Sequence, residues 1–330
     1  MNWLSDDAIS RLQAASAMPD FAGTRYRLME RVGSGGMGVV YSAEDSILGR
    51  RVALKVLDFP DVSGELATRL LREVHILARL EHPGIVPVHD AGTLTDGRVF
   101  YAMKFVEGRR LDQLDARKDR LFDRLRIFQR ICDTVAFAHA HGILHRDLKP
   151  GNVMVGSFGE VLVMDWGVAK IIRSTPESAG ECLSEGNATH ATDSETTALL
   201  ETGHGAVLGT VGYMSPEQAR GEIENLDARS DIFSLGAILQ YLLTNLGGTP
   251  LQPLSAIARK AMAPERASRY ASSIALGQDI GDYLDGLPVS AYPENIFHKL
   301  ARWASRYRLA IVLVLTYLVV RVLLLLWFRR

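Results

Sequence analysis

Gly33-Ser34-Gly35-Gly36-Met37-Gly38 fits the pattern G-x-G-x-x-G between two runs that favour β-structure. Glycines so placed let a backbone approach phosphate groups closely and leave amide N–H groups free to donate to anionic oxygens. By itself the pattern is equally compatible with a glycine-rich hairpin that holds nothing. A dinucleotide-binding reading needs the glycines to open a helix, whereas Val39-Val40-Tyr41-Ser42-Ala43-Glu44 continues as strand. Val52-Ala53-Leu54-Lys55 then sets a lysine in an apolar strand, where in isolation it would snorkel to the surface. Glu73 lies in a helical run among apolar neighbours and can meet Lys55 as an ion pair; alone it reads as a surface glutamate. Farther along, His145-Arg146-Asp147-Leu148-Lys149-Pro150-Gly151-Asn152 and Asp165-Trp166-Gly167 gather acidic, basic and amide side chains within a short span.

In this order and at these distances the blocks resemble the eukaryotic-type (Hanks-type) serine/threonine protein kinases, and in particular their membrane-attached bacterial branch. The resemblance runs from Tyr26 to Leu284. It implies an α+β, two-lobed protein kinase fold over 26–285, with a small β-rich N-lobe (26–106) and a mostly helical C-lobe (107–285). It also implies ATP as phosphate donor and Mg²⁺ as the metal, with Mn²⁺ as the alternative ion. The loop from Gly33 to Gly38 would cover the phosphates, and Lys55 would contact them while held by Glu73. Asn152 and Asp165 would coordinate the metal, an all-oxygen setting that suits a hard cation. Asp147 would accept or orient the proton of the substrate hydroxyl, and Lys149 would steady the transferred group. Such a reaction asks the protein for positioning and charge neutralisation more than for covalent chemistry. Val40, Ala53 and Met154 match the adenine-sandwich positions, Met103 the gatekeeper, and Lys104, Phe105 and Val106 the hinge.

Further matches are structural or regulatory. Lys149, together with Thr210 in Gly209-Thr210-Val211-Gly212-Tyr213, points to serine and threonine acceptors rather than tyrosine. Arg146 would receive a phosphate carried by the activation segment. Trp166 stands where the family usually has Phe; it keeps a large aromatic to pack with His145 and Leu77, and its indole N–H needs a partner if buried. Ser215-Pro216-Glu217 replaces the usual Ala-Pro-Glu, with Glu217 expected to pair with Arg269, and Asp231 matches the residue that braces the catalytic loop. His139, His141 and His145 lie close in sequence, but the first two end a helix, the third belongs to the loop motif, and no fourth zinc ligand stands near.

The elements that must carry these groups follow from periodicity. Strand-like runs span Tyr26 to Leu57, with turns at the glycine loop and at Leu48-Gly49. Leu66, Leu70, Val74, Leu77 and Leu80 recur at three- and four-residue steps, predicting a helix over Glu65 to Leu80. Two more strands follow in Val86 to Leu94 and Val99 to Val106. Beyond Leu111 the chain reads as helical, clearest at Leu125 to His141, Ser230 to Leu243 and Leu254 to Leu284, with a hairpin-like patch from Gly142 to Val168. Ser5-Asp6-Asp7 reads as the cap of a short helix through Met18 in an N-terminal helical extension (1–25), and no secretory signal precedes it.

Composition narrows the partners. With 37 Lys+Arg against 38 Asp+Glu the net charge is −1, so no nucleic-acid-binding surface is advertised. Two cysteines in unlike settings, Cys132 and Cys182, fit a reducing compartment. Arg173 to Val207 holds ten Ser/Thr, a net charge of −5 and only four Leu, Ile, Val or Phe. That is too little to bury a core, so 173–207 reads as a mobile loop; by the resemblance it enlarges the activation segment (165–217), either as a passive insertion or as a platform for autophosphorylation. Only 38 steps separate Asp231 from Arg269; the resemblance leads one to expect a longer passage there, so it implies that a helix near Gly247 to Pro253 is shortened or lost, in the region where the family's protein substrates dock.

Leu309 to Phe328 contains 18 apolar residues in 20, enough to match a bilayer core of about 30 Å. Fifteen are Leu, Ile, Val or Phe; at roughly −0.4 kcal/mol each they outweigh a cost of about 3 kcal/mol for Arg321. A transmembrane helix over 309–328 is therefore expected, joined by a basic linker (286–308). Lys299, Arg302, Arg306 and Arg308 before the span, against Arg329 and Arg330 after it, orient the kinase to the cytoplasm with no external sensor domain. Arg321 either snorkels or marks a helix contact, which leaves homodimerisation open. The rival reading is a pseudokinase or ATP-binding membrane scaffold that recruits partners through a shortened C-lobe; a small-molecule kinase is a third. The presence of Lys55, Glu73, Asp147, Asn152 and Asp165 together favours the enzyme.

Overall fold

The computed structural model describes residues 18–35, 38–57, 65–114, 120–166, 170–171, 212–222, 226–244, 252–293 and 308–328. Strands β1 (Tyr26–Gly35), β2 (Gly38–Asp45), β3 (Arg50–Val56), β4 (Val88–Thr93) and β5 (Val99–Lys104) form one antiparallel sheet in the order β1-β2-β3-β5-β4. Successive side chains of a strand face opposite ways, and here each face serves a different core. Val52, Leu54, Val56, Phe100 and Ala102 pack with Phe21, Tyr26, Tyr41 and Leu94. Ala53, Tyr101 and Met103 turn to the other face and join the core that continues into the helical half. Phe21 seals the first cluster with its ring edge-on to Phe100 at 5.0 Å. The helix expected from Ser5 lies outside the described residues as far as Ala17, and Met18 to Arg25 are irregular, with a turn at Ala22-Gly23.

Helix α1 (Glu65–Arg79) follows β3, as the apolar spacing predicts. Leu70, Ile76 and Leu77 are buried on its inner face, and Glu73 is buried among them at 1% exposure. A carboxylate in that stripe demands a cationic partner.

The helical lobe begins after β6 (Gly108–Arg110) with α2 (Leu121–Ala140). The hairpin-like patch resolves into β7 (Ile143–Leu144), β8 (Val153–Gly156), β9 (Val161–Val163) and β10 (Lys170–Ile171), paired as β6-β8-β9 and β7-β10. After α3 (Pro216–Ala219), helix α4 (Ala228–Leu243) runs through the centre, with Ile232, Leu235, Ile238 and Leu239 fully buried. At Gly236 a Cβ would lie 2.7 Å from Ala261 Cβ and 2.7 Å from Met262 Cγ, so glycine permits the close crossing of α4 with α5 (Gln252–Ala261). The continuous helical run read over Leu254 to Leu284 is instead two helices, α5 and α6 (Ser273–Leu284). Pro264 lacks the N–H that would continue α5, and the Ser272 hydroxyl caps α6 by accepting from Ala275 N at 3.2 Å.

A one-turn 3₁₀ segment, Arg266–Ser268, joins them and delivers Arg269 inward. Arg269 donates to both Glu217 oxygens at 2.7 and 2.9 Å, and Ser230 Oγ donates to Glu217 Oε1 at 2.8 Å. The last element is α7 (Arg308–Phe328), whose side chains are described over 311–321 and at Trp327, exposed from 312 onward. Among the fully described residues, no apolar helix is long enough to cross a membrane.

Burial by itself would raise the Glu217 pKa, but the bonds from Arg269 and Ser230 bring it down to about 2. A carboxylate with a depressed folded pKa stabilises the fold above its unfolded value and loses that contribution as pH falls. Acid titration of stability is therefore expected to show a Glu217-dependent loss between pH 4.5 and about 2. Glu217→Ala leaves Arg269 buried and unpaired and should cost about 3–5 kcal/mol in denaturant unfolding at neutral pH.

Candidate active site

Lys55 and Tyr101 are directly opposed across β3 and β5, on the face turned toward α1. Lys55 Nζ donates to Glu73 Oε1 at 3.1 Å and Oε2 at 3.0 Å, and to Asp165 Oδ1 at 3.0 Å. Burial works against the Lys55 charge, but the carboxylates of Glu73 and Asp165 outweigh it and hold its pKa above the ordinary lysine value. Burial likewise disfavours ionised Asp165, and the Lys55 ammonium more than offsets it, so the Asp165 pKa is lowered. Tyr101 Oη donates to Glu73 Oε1 at 3.1 Å.

The segment 145–152 is shaped by one buried carboxylate on α4. Asp231 Oδ2 accepts from His145 N at 2.9 Å and meets His139 Nε2 at 2.8 Å, while Oδ1 accepts from Arg146 N at 2.9 Å. Arg146 has φ 69° and Asp165 φ 60°, backbone states that non-glycine residues adopt only when their surroundings enforce them. His145 accepts from Asp147 N at Nδ1 (3.3 Å), so its Nε2 donates to Met164 O at 2.9 Å. Its ring lies 4.6 Å from that of Trp166, which is fully buried in the same core as Leu77. The indole N–H finds its partner in Val163 O at 3.2 Å.

Asp147 therefore stands at the mouth of the loop with its Oδ2 2.7 Å from Lys149 Nζ and 3.1 Å from Asn152 Nδ2. Asn152 Nδ2 also donates to Asp147 O at 2.8 Å, and Met164 N donates to Asn152 O at 2.8 Å. The second bond, backbone to backbone, ties the residue before Asp165 to Asn152. With its amide nitrogen engaged, Asn152 is left with its side-chain oxygen to offer, and Asp165 contributes an ionised, half-exposed carboxylate. An oxygen-only pair of this kind fits a hard divalent cation.

At the glycine turn, β1 and β2 pair down to Gly35 opposite Gly38. Gly38 has φ 144°, and a Cβ there would fall 2.2 Å from Val56 O, so no other residue fits. Val40, Ala53, Met103 and Met154 border one continuous core beneath this turn. Lys104 is exposed, while Phe105 and Val106 are half-buried, with the Arg51 guanidinium 4.1 Å above the Phe105 ring. Gly36, Met37, Gly167 and Thr210 lie outside the described residues, as does 172–211 of the expected loop.

Three contributors escape a sequence reading. Tyr101 sits two residues before Met103 and so shares its face, a signal of position without any hint of its partner. His139, read only as part of a helix end, faces Asp231. Gln218 donates to Arg146 O at 2.7 Å and anchors the loop to α3.

Comparison with known proteins agrees with this geometry. The family described as protein kinase domain matches residues 26–267. A serine/threonine-protein kinase PknD of Protochlamydia amoebophila is 33% identical over 79% of this chain and 30% of its own length. PknD of Chlamydia trachomatis is 37% identical over 80% of this chain and 32% of its own length. This chain thus spans about a third of the curated relatives it matches. The crystal structure of the Mycobacterium tuberculosis PknI kinase domain aligns over 80% of this chain and 96% of its own, with 25% identity and a TM-score of 0.54.

Because three donors converge on Asp231, Asp231→Ala is expected to destabilise the protein by about 3 kcal/mol or more, each buried unsatisfied donor costing roughly 1–3. Unfolding midpoints measure this, and Asp231→Asn, which keeps one acceptor oxygen, should lose less.

Proposed function

The chain belongs to the protein kinase family, and from that premise we propose that it transfers the γ-phosphate of ATP to serine and threonine hydroxyls of proteins. The observation that carries this reading is the convergence of Lys55, Glu73, Asp165, Asn152 and Asp147 beneath the glycine turn. Mg²⁺ would supply charge neutralisation at the phosphates, held by Asp165 and the Asn152 oxygen. Lys55 binds phosphate oxygens from the opposite side, kept in line by Glu73. The adenine slots between Val40 and Ala53 above and Met154 below, with Lys104 to Val106 presenting hinge backbone at its edge. Asp147 accepts a hydrogen bond from the incoming hydroxyl and takes its proton as the oxygen bonds to phosphorus and ADP departs. Lys149, already at Asp147, balances charge on the group in transit.

Arg146, seated by Asp231 and Gln218, is the receptor we assign to a phosphate on the segment 173–207. The serine and threonine residues of that segment supply the acceptors, so the protein regulates itself by autophosphorylation. We further propose that α7 anchors the kinase to the cytoplasmic face of the membrane. Its 21 residues reach about 30 Å at 1.5 Å per residue, and the sequence bears one charge between Leu309 and Phe328.

Full-length protein incubated with Mg²⁺ and γ-labelled ATP should label itself and a protein substrate on Ser and Thr. Asp147→Asn is expected to lower kcat about 10²–10⁴-fold, and Lys55→Ala and Asp165→Ala to remove transfer. Binding of ATP by the wild type without any transfer would instead favour a scaffold. Phosphosite mapping should find phosphate within 173–207 of the wild type and none in Asp165→Ala; an active wild type with a bare loop overturns autophosphorylation. Flotation with lipid vesicles should retain the full chain and lose a version lacking 309–330, and equal flotation of both would exclude the anchor.

A further inference from the structure

We propose that Tyr101 is a positioning residue for phosphoryl transfer, holding Glu73 and helix α1 in place while Lys55 redistributes its hydrogen bonds. This rests on the kinase reading above and adds a residue to it. Lys55 and Tyr101 are cross-strand neighbours whose side chains approach one Glu73 carboxylate, Lys55 at both oxygens and Tyr101 at Oε1. All three are removed from water, at 6%, 2% and 1% exposure. Lys55 Nζ also lies 5.8 Å from the Tyr101 ring centroid, so the ring itself borders the ammonium.

An ammonium has three N–H donors. In this structure they are divided between Glu73 and Asp165. Phosphate oxygens can engage Lys55 only by drawing donors away from those carboxylates. Asp165 is half-exposed and recovers solvent or metal contacts, but Glu73 has no water to turn to. The Tyr101 hydroxyl is the donor that stays with it, because it lies on a neighbouring strand and does not move with Lys55. Burial and the facing carboxylates hold Tyr101 in its neutral, donating form. Without that hydroxyl, each bond Lys55 gives to phosphate leaves a buried carboxylate short of donors, and the shortage is greatest in the transition state, when the phosphoryl group draws most on the lysine. The penalty therefore falls on turnover rather than on nucleotide binding, whose assigned adenine contacts at the hinge lie beyond Met103, at the end of β5.

Tyr101→Phe keeps the ring in its core and removes only the oxygen. In the full-length protein we expect kcat to fall about tenfold, with KM for ATP changed by less than about twofold. Placed in a Glu73→Gln background, where the acceptor is a neutral amide, the same substitution should change kcat by less than about twofold. An unaltered kcat in Tyr101→Phe, a loss confined to KM, or an equal tenfold loss in both backgrounds each overturns the proposal while leaving the kinase reading intact. Absence of transfer by the wild type overturns both.

Discussion

A lysine ammonium taken almost wholly out of water must be surrounded by carboxylates, and much of the upper half of the molecule is arranged to meet that demand. Lys55 is placed by β3, Glu73 by α1, Asp165 by the segment after β9 and Tyr101 by β5. None of these elements is adjacent to all the others along the chain. Removing any partner leaves a buried charge short of hydrogen bonds, which is costly where the surroundings cannot rearrange. The charge cluster thus links strand, helix and helical lobe at Lys55.

The helical half applies the same physics without a nucleotide. Asp231 gathers two backbone amides and His139, and Glu217 gathers Arg269 and Ser230. One carboxylate bends 145–152 into an unusual backbone path; the other secures α3 against the turn before α6. Gln218, next to Glu217, then reaches Arg146, so the two hubs are joined through a side-chain amide. The loop that carries Asp147 is held in this way from a rigid central helix, which suits a reaction governed by position and charge.

The substitution of Trp for the usual Phe shows how a departure is absorbed. A larger ring with a polar edge fits because Val163 O stands ready for the indole N–H and the His145 ring packs beside it. The short passage between Asp231 and Arg269 is absorbed differently: α4 and α5 cross closely at Gly236, and the turn after Pro264 still delivers Arg269 to Glu217.

The amino-acid sequence alone determined the order of strands and helices in the upper lobe, the identity of Lys55, Glu73, Asp147, Asn152 and Asp165, and the pairing partners expected for Glu217 and Trp166. The elements were legible because they depend on local periodicity; the site residues and the distant pairings were legible only through the family resemblance that the motifs carry, since Glu217 and Arg269 lie 52 positions apart. It misread Leu254 to Leu284 as one helical run, because hydrophobic spacing continues across a proline break that only the cap at Ser272 makes evident. It was silent about Tyr101 on Glu73, His139 on Asp231 and Gln218 on Arg146. Those contacts join residues 28, 92 and 72 positions apart. A one-dimensional pattern records which side chains share a face, but which two faces meet is decided by packing, since only in the folded chain does a buried polar group have to find its partner.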